Sequence, residues 1–574
     1  AADLRPVLLS LIERASFGWE QVVLGIVRLC TALLDYATTS GARRRYGDAA
    51  MDRVVELGIR TLYHAFYQHE FIRSRIIGHI TSQIPFRSAS TDSYLRLATL
   101  LFDKCFDRCL AYSDKLRDIL DYIIFLPPAV SRTLILSLGP IIRHDPSYCN
   151  NLLLALRKGM FTKSEDERQV ALAGLFSLIH VFSAEVQIST ATPPSSAPTG
   201  RDTLGSILEI LNMVRHCLSK QVEIRVQVYA SIRDLLESGL VRNNRVLRTS
   251  LHNMLRIEVA KYYKHRGTGP DCSNTSFNLH ACLHQSTNKV LVPVPHMLQC
   301  FAMTTIAIAA EDSRYLECGG RGGGSSSSSS SSSNANSLDN AIYVWMQIIE
   351  WLVSSDLEDF ELDSACNFDQ GDPTGVRNQS MSQQLLGCYD VAMEFIMLFS
   401  VSDSLAERYH GFAATAADRL CTLSSRRHKL FELLRSRTTN ELGRKVSVNP
   451  FASSLMTQRT LSIALPRILG DATVRSSTNR ATGLSAAWRT WGANAEIVRY
   501  LLGLSRHRIY ELCEQSNPID SSDPAPVTEA LATIVTSVYS YILMPLSQNS
   551  DSTDVGGSHG PRIAPTLTAK TPKA

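Results

Sequence analysis

Apolar residues spaced three and four apart recur along almost the whole chain, and that periodicity leaves room for little except helices. Val22, Ile26, Leu29 and Leu33 make one stripe, and Val55, Ile59, Leu62 and Phe66 make another. Leu172, Leu175, Phe176, Ile179 and Phe182 repeat the pattern, as do Ile207, Ile210, Leu211, Val214 and Leu218. Each stripe predicts a helix of about three to five turns, followed by a polar or Gly/Pro break. Strand signals are sparse. No fixed-length motif recurs, so a close-copy repeat of the ankyrin kind is excluded. A chain of 574 residues is too long for one compact core. Irregular antiparallel helical hairpins stacked into an α-solenoid resolve that, because the core then grows along an axis. The expected fold is all-α: solenoid segments with an intervening helical domain.

Three interruptions suggest how the chain is divided. Residues 183–200 are rich in Pro, Ser and Thr without apolar period, and 319–336 contain a glycine cluster and nine consecutive serines. Both read as disordered loops. Residues 548–574 read as a disordered tail, and a softer break lies at 368–378. The division expected is a solenoid segment over 1–136, a helical domain over 137–372, a second solenoid segment over 373–547, and the tail. The chain opens on Ala1-Ala2-Asp3 without methionine, which suggests a processed or incomplete sequence.

Composition narrows the function classes. The 13 cysteines are an odd number, and Cys30, Cys105, Cys217 and Cys421 fall within apolar helical stripes. That pattern fits reduced core cysteine in an intracellular protein better than a disulfide framework. The most apolar window, 297–310, is too short to span a bilayer and contains Gln299, Thr304 and Thr305. No membrane association is expected. The net charge of +4 does not announce a nucleic-acid binder, but it permits local basic patches.

No catalytic arrangement emerges. His64 and His69 with Glu70 lack the spacing that puts two imidazoles on one helical face. Cys272, His280, Cys282 and His284 are metal-capable, but their spacing matches no common zinc site. The glycines at 319–324 lack the Lys-Ser/Thr of a phosphate loop. Neither enzyme activity, nor a metal, nor a cofactor is expected. Basic groups are better candidates: Arg43-Arg44-Arg45, Arg157-Lys158, Lys261 with Lys264 and Arg266, and Arg426-Arg427 with Lys429. Along a solenoid they could line a groove and neutralise phosphates of duplex or branched DNA. The alternative is that each is a solvated face. The acidic run 355–363 fits a helix end or a docking loop.

One segment stands apart. Ser113-Asp-Lys-Leu-Arg-Asp-Ile-Leu-Asp-Tyr-Ile-Ile-Phe-Leu-Pro127 predicts a short amphipathic helix with Leu116, Ile119, Leu120, Ile123 and Ile124 on one face. Ser113 or Asp114 can cap its start, and Pro127-Pro128 stops it. Lys115 falls in the first turn, on the flank of the apolar stripe. A cation there opposes the helix dipole, so local helix stability does not account for it.

Several segments resemble the Fanconi anaemia group I family. Ser16-Phe-Gly-Trp-Glu-Gln-Val-Val-Leu-Gly-Ile-Val27 is similar to the opening of that family's second solenoid segment. The stretch from Lys115 through Phe125-Leu126-Pro127 resembles the surroundings of its ubiquitin-acceptor lysine. Leu156-Arg-Lys-Gly-Met-Phe161 with Ala171-Leu-Ala-Gly174 resembles its central helical domain. Leu357-Glu-Asp-Phe-Glu-Leu-Asp363 and Phe451-Ala-Ser-Ser-Leu455 resemble later landmarks, in the same order, across residues 10–510.

The resemblance implies a nuclear, non-enzymatic scaffold for repair of DNA interstrand crosslinks. It implies pairing with a paralogous Fanconi partner of group D-two to clamp DNA. It also implies mono-ubiquitination by a conjugating enzyme and ligase complex, with Lys115 as the acceptor. The chain departs from the family pattern in three ways. The 183–200 loop has no Ser-Gln kinase site, and polyserine stands where relatives have an acidic loop. The family's N-terminal solenoid and long C-terminal solenoid have no counterpart, as in a fragment or a divergent short product. The competing expectation is a HEAT- or importin-like adaptor. Its regular Trp/Asn ladder is not matched by Trp19, Trp345, Trp351, Trp488 and Trp491.

Overall fold

The computed structural model describes residues 4–514 except 15–18, 87–89, 192–202, 240, 242–243, 265–275, 285–287, 320–329, 364, 440–444, 446–448, 450, 452–453 and 474–482; beyond 514 it describes 532–536 and 538. The 548–574 tail therefore lies outside the described residues.

Apolar stripes turn inward on the helices that the periodicity predicts. Val55, Ile59, Leu62 and Phe66 are buried on Asp48–Gln68, and Ile207, Ile210, Leu211, Val214 and Leu218 are buried on and just after Thr203–Cys217. Each such side chain contributes roughly 1.5–3 kcal/mol by leaving water. The first stripe is a correction. On Glu20–Ala37 the buried face is Val23, Val27, Cys30, Leu34 and Ala37, with Ile26 at its edge, while Val22 and Leu29 are exposed. That helix carries apolar residues on two adjoining faces, so spacing alone does not choose which of the two meets the core.

Each helix packs on near neighbours in sequence, and the contacts pass along the chain as a relay. Glu20–Ala37 packs on Asp48–Gln68, which packs on Thr91–Lys104, which in turn packs on Pro128–Ser137. Pro128–Ser137 and Pro146–Met160 both meet Glu165–Ala191, which continues to Thr203–Cys217 and Val222–Glu237. Further on, Arg245–Ala260, Val294–Gly319, Pro373–Phe399, His410–Arg437 and Gly483–Ala493 each pack on the next. This is an all-α solenoid.

Among the described residues the named strands form two short pairs. Tyr263–Lys264 runs antiparallel to Ser276–Phe277 with Tyr263 opposite Phe277, and Phe368–Asp369 runs parallel to Thr438–Thr439. Several helices exceed the expected length, His410–Arg437 most of all at 28 residues. Two expected loops are also partly helical. Glu165–Ala191 runs through residues 183–191, and Ser330–Ser354 includes residues 330–336. Neither piece contains Gly or Pro, so nothing in either stops a helix begun in the apolar part from continuing through polar residues.

An aromatic column ties the second half together. His252 stacks on Phe301 at 5.5 Å, Phe301 on Trp345 at 5.9 Å, and Trp345 on Phe395 at 4.7 Å. Phe399 and Phe412 continue it edge-to-face at 5.1 Å. The carboxylates of Asp390 and Glu394 lie beside this column, each 1% exposed. Glu394 accepts from Gln299 (3.1 Å), from the backbone and hydroxyl of Thr457 (2.9 and 2.6 Å) and from Thr460 (2.7 Å). Asp390 takes the Arg427 guanidinium and the Tyr500 hydroxyl, the latter at 2.8 Å. These bonds fasten Gln458–Thr473 and Ala495–Glu514 to Pro373–Phe399.

Candidate functional site

The segment expected as one helix from Ser113 to Phe125 is two pieces. Ser113–Arg117 is a five-residue helix, and Leu120–Phe125 is a 3-10 turn. No side chain caps the start, so neither Ser113 nor Asp114 performs the expected capping role. The stop is as expected, with Pro127 before the next helix and Pro128 as its first residue.

The break is set by residues packed against the segment from helix Pro146–Met160. In a continuous α-helix the Leu116 carbonyl would accept from the backbone of residue 120. Here it accepts from Ile119 at 3.3 Å and from the Tyr148 hydroxyl at 3.2 Å. Tyr148 is buried, and that burial pushes its phenol above the usual range, so the hydroxyl remains a donor. Gly159 completes the fit. A Cβ there would stand 2.8 Å from Ile124 and 2.9 Å from Ala171, so the 3-10 turn lies directly against bare backbone. The apolar face survives the break: Leu116, Ile119, Leu120 and Ile123 are all at most 3% exposed. A spacing of three serves both kinds of helix.

Lys115 is exposed on this short helix. Its ammonium donates to the Ser74 hydroxyl and lies 3.5 Å from the Ser74 carbonyl, both on helix Glu70–Gln83. Arg117 reaches the other way, to Asp114 at 3.1 Å, Asp145 at 3.8 Å and Ser147 at 3.4 Å. Asp145 itself caps Pro146–Met160 through the backbone of Ser147 and Tyr148. Large apolar side chains remain open on neighbouring elements: Tyr122 and Phe125 on the 3-10 turn, and Phe71 three residues before Ser74.

The basic candidates lie on separate elements and differ in availability. Arg43 is committed to Asp48 and Asp52 at 3.1 and 3.0 Å, while Arg44 and Arg45 are exposed. Lys261 pairs with Glu258. Lys264 lies in the short antiparallel strand pair, and Arg266 falls outside the described residues. Arg426 pairs with Asp356 at 3.2 Å, and Lys429 is exposed. Arg427 is a correction. It is 6% exposed, bound to Asp390, with its guanidinium 4.0 Å from the Tyr500 ring centre, so it cannot meet a phosphate. Arg157 and Lys158 are exposed at the end of Pro146–Met160.

Among the described residues no group of three or more metal-capable side chains comes together. Cys282 is buried with its thiol pushed up to about 12 by that burial, and Cys272 lies outside the described residues. Trp345, Trp488 and Trp491 are buried, which leaves them unable to form an exposed peptide-binding ladder. Ser74 carried no motif that sequence reading could have found. Asp390 and Glu394 did: they are lone charges in the otherwise apolar run 385–399.

Comparison with known families adds two matches. The family description "FANCI solenoid 2" matches residues 22–176, and "FANCI helical domain 2" matches residues 180–435. The chain is 22% identical over 579 residues to the Fanconi anemia group I protein of Gallus gallus, covering 93% of this chain and 39% of that relative. It is 22% identical over 566 residues to the Fanconi anemia group I protein homolog of Mus musculus, covering 92% and 39%. The chain thus spans 39% of the length of these curated relatives. Lys115 and its supporting turn fall inside the solenoid match.

Proposed function

This chain belongs to the Fanconi anaemia group I family, and from that premise we propose that it is a ubiquitin-accepting scaffold whose acceptor is Lys115. Family membership gives it a role in the Fanconi pathway. The finer reading is that it pairs with a paralogous group D-two subunit, closes with it around duplex or branched DNA in the nucleus, and is a substrate of the conjugating machinery.

One observation carries the choice of residue. Lys115 is solvent-exposed on a five-residue helix that its own apolar face and Tyr148 hold rigidly in place. A lysine so mounted presents its amine at a fixed point while contributing little to the core beneath it.

The chemistry is aminolysis of a thioester. The neutral Lys115 nitrogen attacks the ubiquitin C-terminal carbonyl held on the conjugating enzyme's cysteine. A C–N bond forms, the C–S bond breaks, the thiolate leaves, and the nitrogen sheds a proton to give the isopeptide. Only the neutral amine is nucleophilic, so the machinery must remove that proton. DNA binding would orient the lysine through the clamp and so raise the rate at which it is modified.

The test is reconstituted ubiquitination in the presence of DNA, comparing the natural chain with Lys115→Arg. The expected result is loss of the single modified band. Undiminished modification of the variant removes Lys115 from the role.

A further inference from the structure

We propose that a cleft between helix Ala495–Glu514 and the segment 449–451 docks an acidic peptide anchored by one aromatic side chain. The site is separate from the short helix Ser113–Arg117 and from every basic group considered above, and it stands whichever residue accepts ubiquitin.

Helix periodicity makes one wall of the cleft. Gly503, Arg506, His507, Tyr510 and Glu511 fall at i, i+3, i+4, i+7 and i+8, one face of Ala495–Glu514. A packed helix carries apolar residues at such positions. Here they line a space of about 470 Å³, with Asn449 and Phe451 on the other side. The floor is firmly built. The Asn449 side chain accepts from the Phe451 backbone at 3.0 Å, and the Phe451 ring lies so close to Gly503 that a Cβ there would collide with it. Phe451 stacks on Tyr500 at 6.2 Å, and the Tyr500 hydroxyl is bonded to Asp390 and Ser454.

Charge selects the occupant. Residues 442–514 hold ten Lys and Arg against four Asp and Glu, an excess larger than the +4 of the whole chain. Arg499 and Arg506 are exposed two turns apart on this helix, and neither pairs with a carboxylate among the described residues. Glu511 sits within the cleft, held by Arg508 at 2.7 Å and 3.3 Å from His507. A polyphosphate strand would press repeated negative charge on that carboxylate. A peptide instead brings a few acids to Arg499 and Arg506, and backbone N–H donors to Glu511. Tyr510 is 60% exposed beside Arg506, and tyrosine and arginine are residues on which interface binding energy concentrates. The aromatic anchor enters against Phe451 while its flanking carboxylates meet the two arginines.

The test is a fluorescence-anisotropy titration of the full chain against a labelled peptide with one central Phe between pairs of Asp and Glu. Saturable binding is expected, weaker for a peptide with Ala in place of Phe and for one with Lys in place of each acid. Arg506→Glu is expected to weaken binding of the acidic peptide at least about tenfold, the loss of a hydrogen bond between charged groups. Tyr510→Ala is expected to weaken it about fivefold or more. Arg28→Glu, exposed on helix Glu20–Ala37, should leave it unchanged. Charge exchange separates a lost contact from a lost fold: Arg506→Glu should bind the Lys peptide more tightly than the natural chain does. Absence of binding, binding that ignores the Phe, or binding that neither Arg506→Glu nor Tyr510→Ala weakens overturns the proposal. So does tighter binding of a thymidine oligonucleotide of equal length with the same dependence on Arg506 and Tyr510, which assigns the cleft to nucleic acid.

Discussion

Glu394 accepts three hydrogen bonds on Oε1, two from Thr457 and one from Thr460, and one from Gln299 on Oε2, while almost wholly buried. Its removal strands several donors in a dry site, and each stranded group costs about 1–3 kcal/mol. Glu394→Ala should therefore lower unfolding free energy by at least about 3 kcal/mol, read from urea denaturation. Glu394→Gln keeps the three bonds to Oε1 but sets an amide donor against Gln299, for a smaller loss of about 1–2 kcal/mol. Buried histidines add a pH dependence. Burial lowers His180, His252 and His296 to about 4, with Arg132, Arg256 and Arg233 respectively adding to the shift. The unfolded imidazoles protonate near 6.5, so between that pH and 4 the unfolded chain binds more protons and stability falls as pH drops. Glu237, raised to about 7 by burial, works in the opposite sense: from 4.5 to 7 the folded chain holds its proton and stability falls as pH rises. Three groups outweigh one, so stability should decline on acidification from pH 6.5 to 4. His252→Gln should flatten that decline by on the order of 3 kcal/mol, measured as denaturation midpoints at several pH values. An unchanged slope in the variant would show that His252 is not buried neutral.

At the scale of elements, the turn beneath Lys115 depends on Gly159 more than on any residue within the turn. A methyl group at that position would sit against Ile124 and Ala171 at distances no relaxed packing allows. Gly159→Ala should cost about 1–3 kcal/mol as overpacking. It should also loosen the 3-10 turn before it unfolds the chain, seen as faster amide exchange across 113–126. Uniform exchange between natural and variant proteins would mean that the turn is held elsewhere. This element also marks how far the sequence could be read. The buried face, the proline stop and the exposed lysine were all legible, because they follow from spacing and from backbone chemistry within the segment. The switch from α to 3-10 was not, because it is set by Tyr148 and Gly159, which come from helix Pro146–Met160. The same limit explains Glu20–Ala37, where two adjoining apolar faces compete and only the neighbouring helices decide between them. Arg427 reads as one more cation in a basic run, and only Asp390 on a distant helix draws it inside.

Across the whole molecule, the relay of helices decides which charges are left for a phosphate backbone. Arg43, Lys261 and Arg426 already hold carboxylates, and Arg427 is internal. Arg44, Arg45, Arg157, Lys158 and Lys429 remain exposed. A DNA contact through this surface should therefore show a salt slope set by the second group and insensitive to the first. Each phosphate neutralised contributes about 0.9 to the slope of log affinity against log salt. If the Ser40–Tyr46 helix lies on the DNA, the double variant Arg44→Gln, Arg45→Gln should reduce the slope by about 1.8. Arg43→Gln should leave it unchanged and cost at most about 1 kcal/mol of stability, since its ion pairs are at the surface. The measurement is a fluorescence-anisotropy titration of duplex and branched DNA over a range of salt concentrations. A slope near zero in the natural chain would remove phosphate contact from the function of this segment. A normal slope that the double variant does not alter would move the contact from the Ser40–Tyr46 helix to Arg157 and Lys158 or to Lys429.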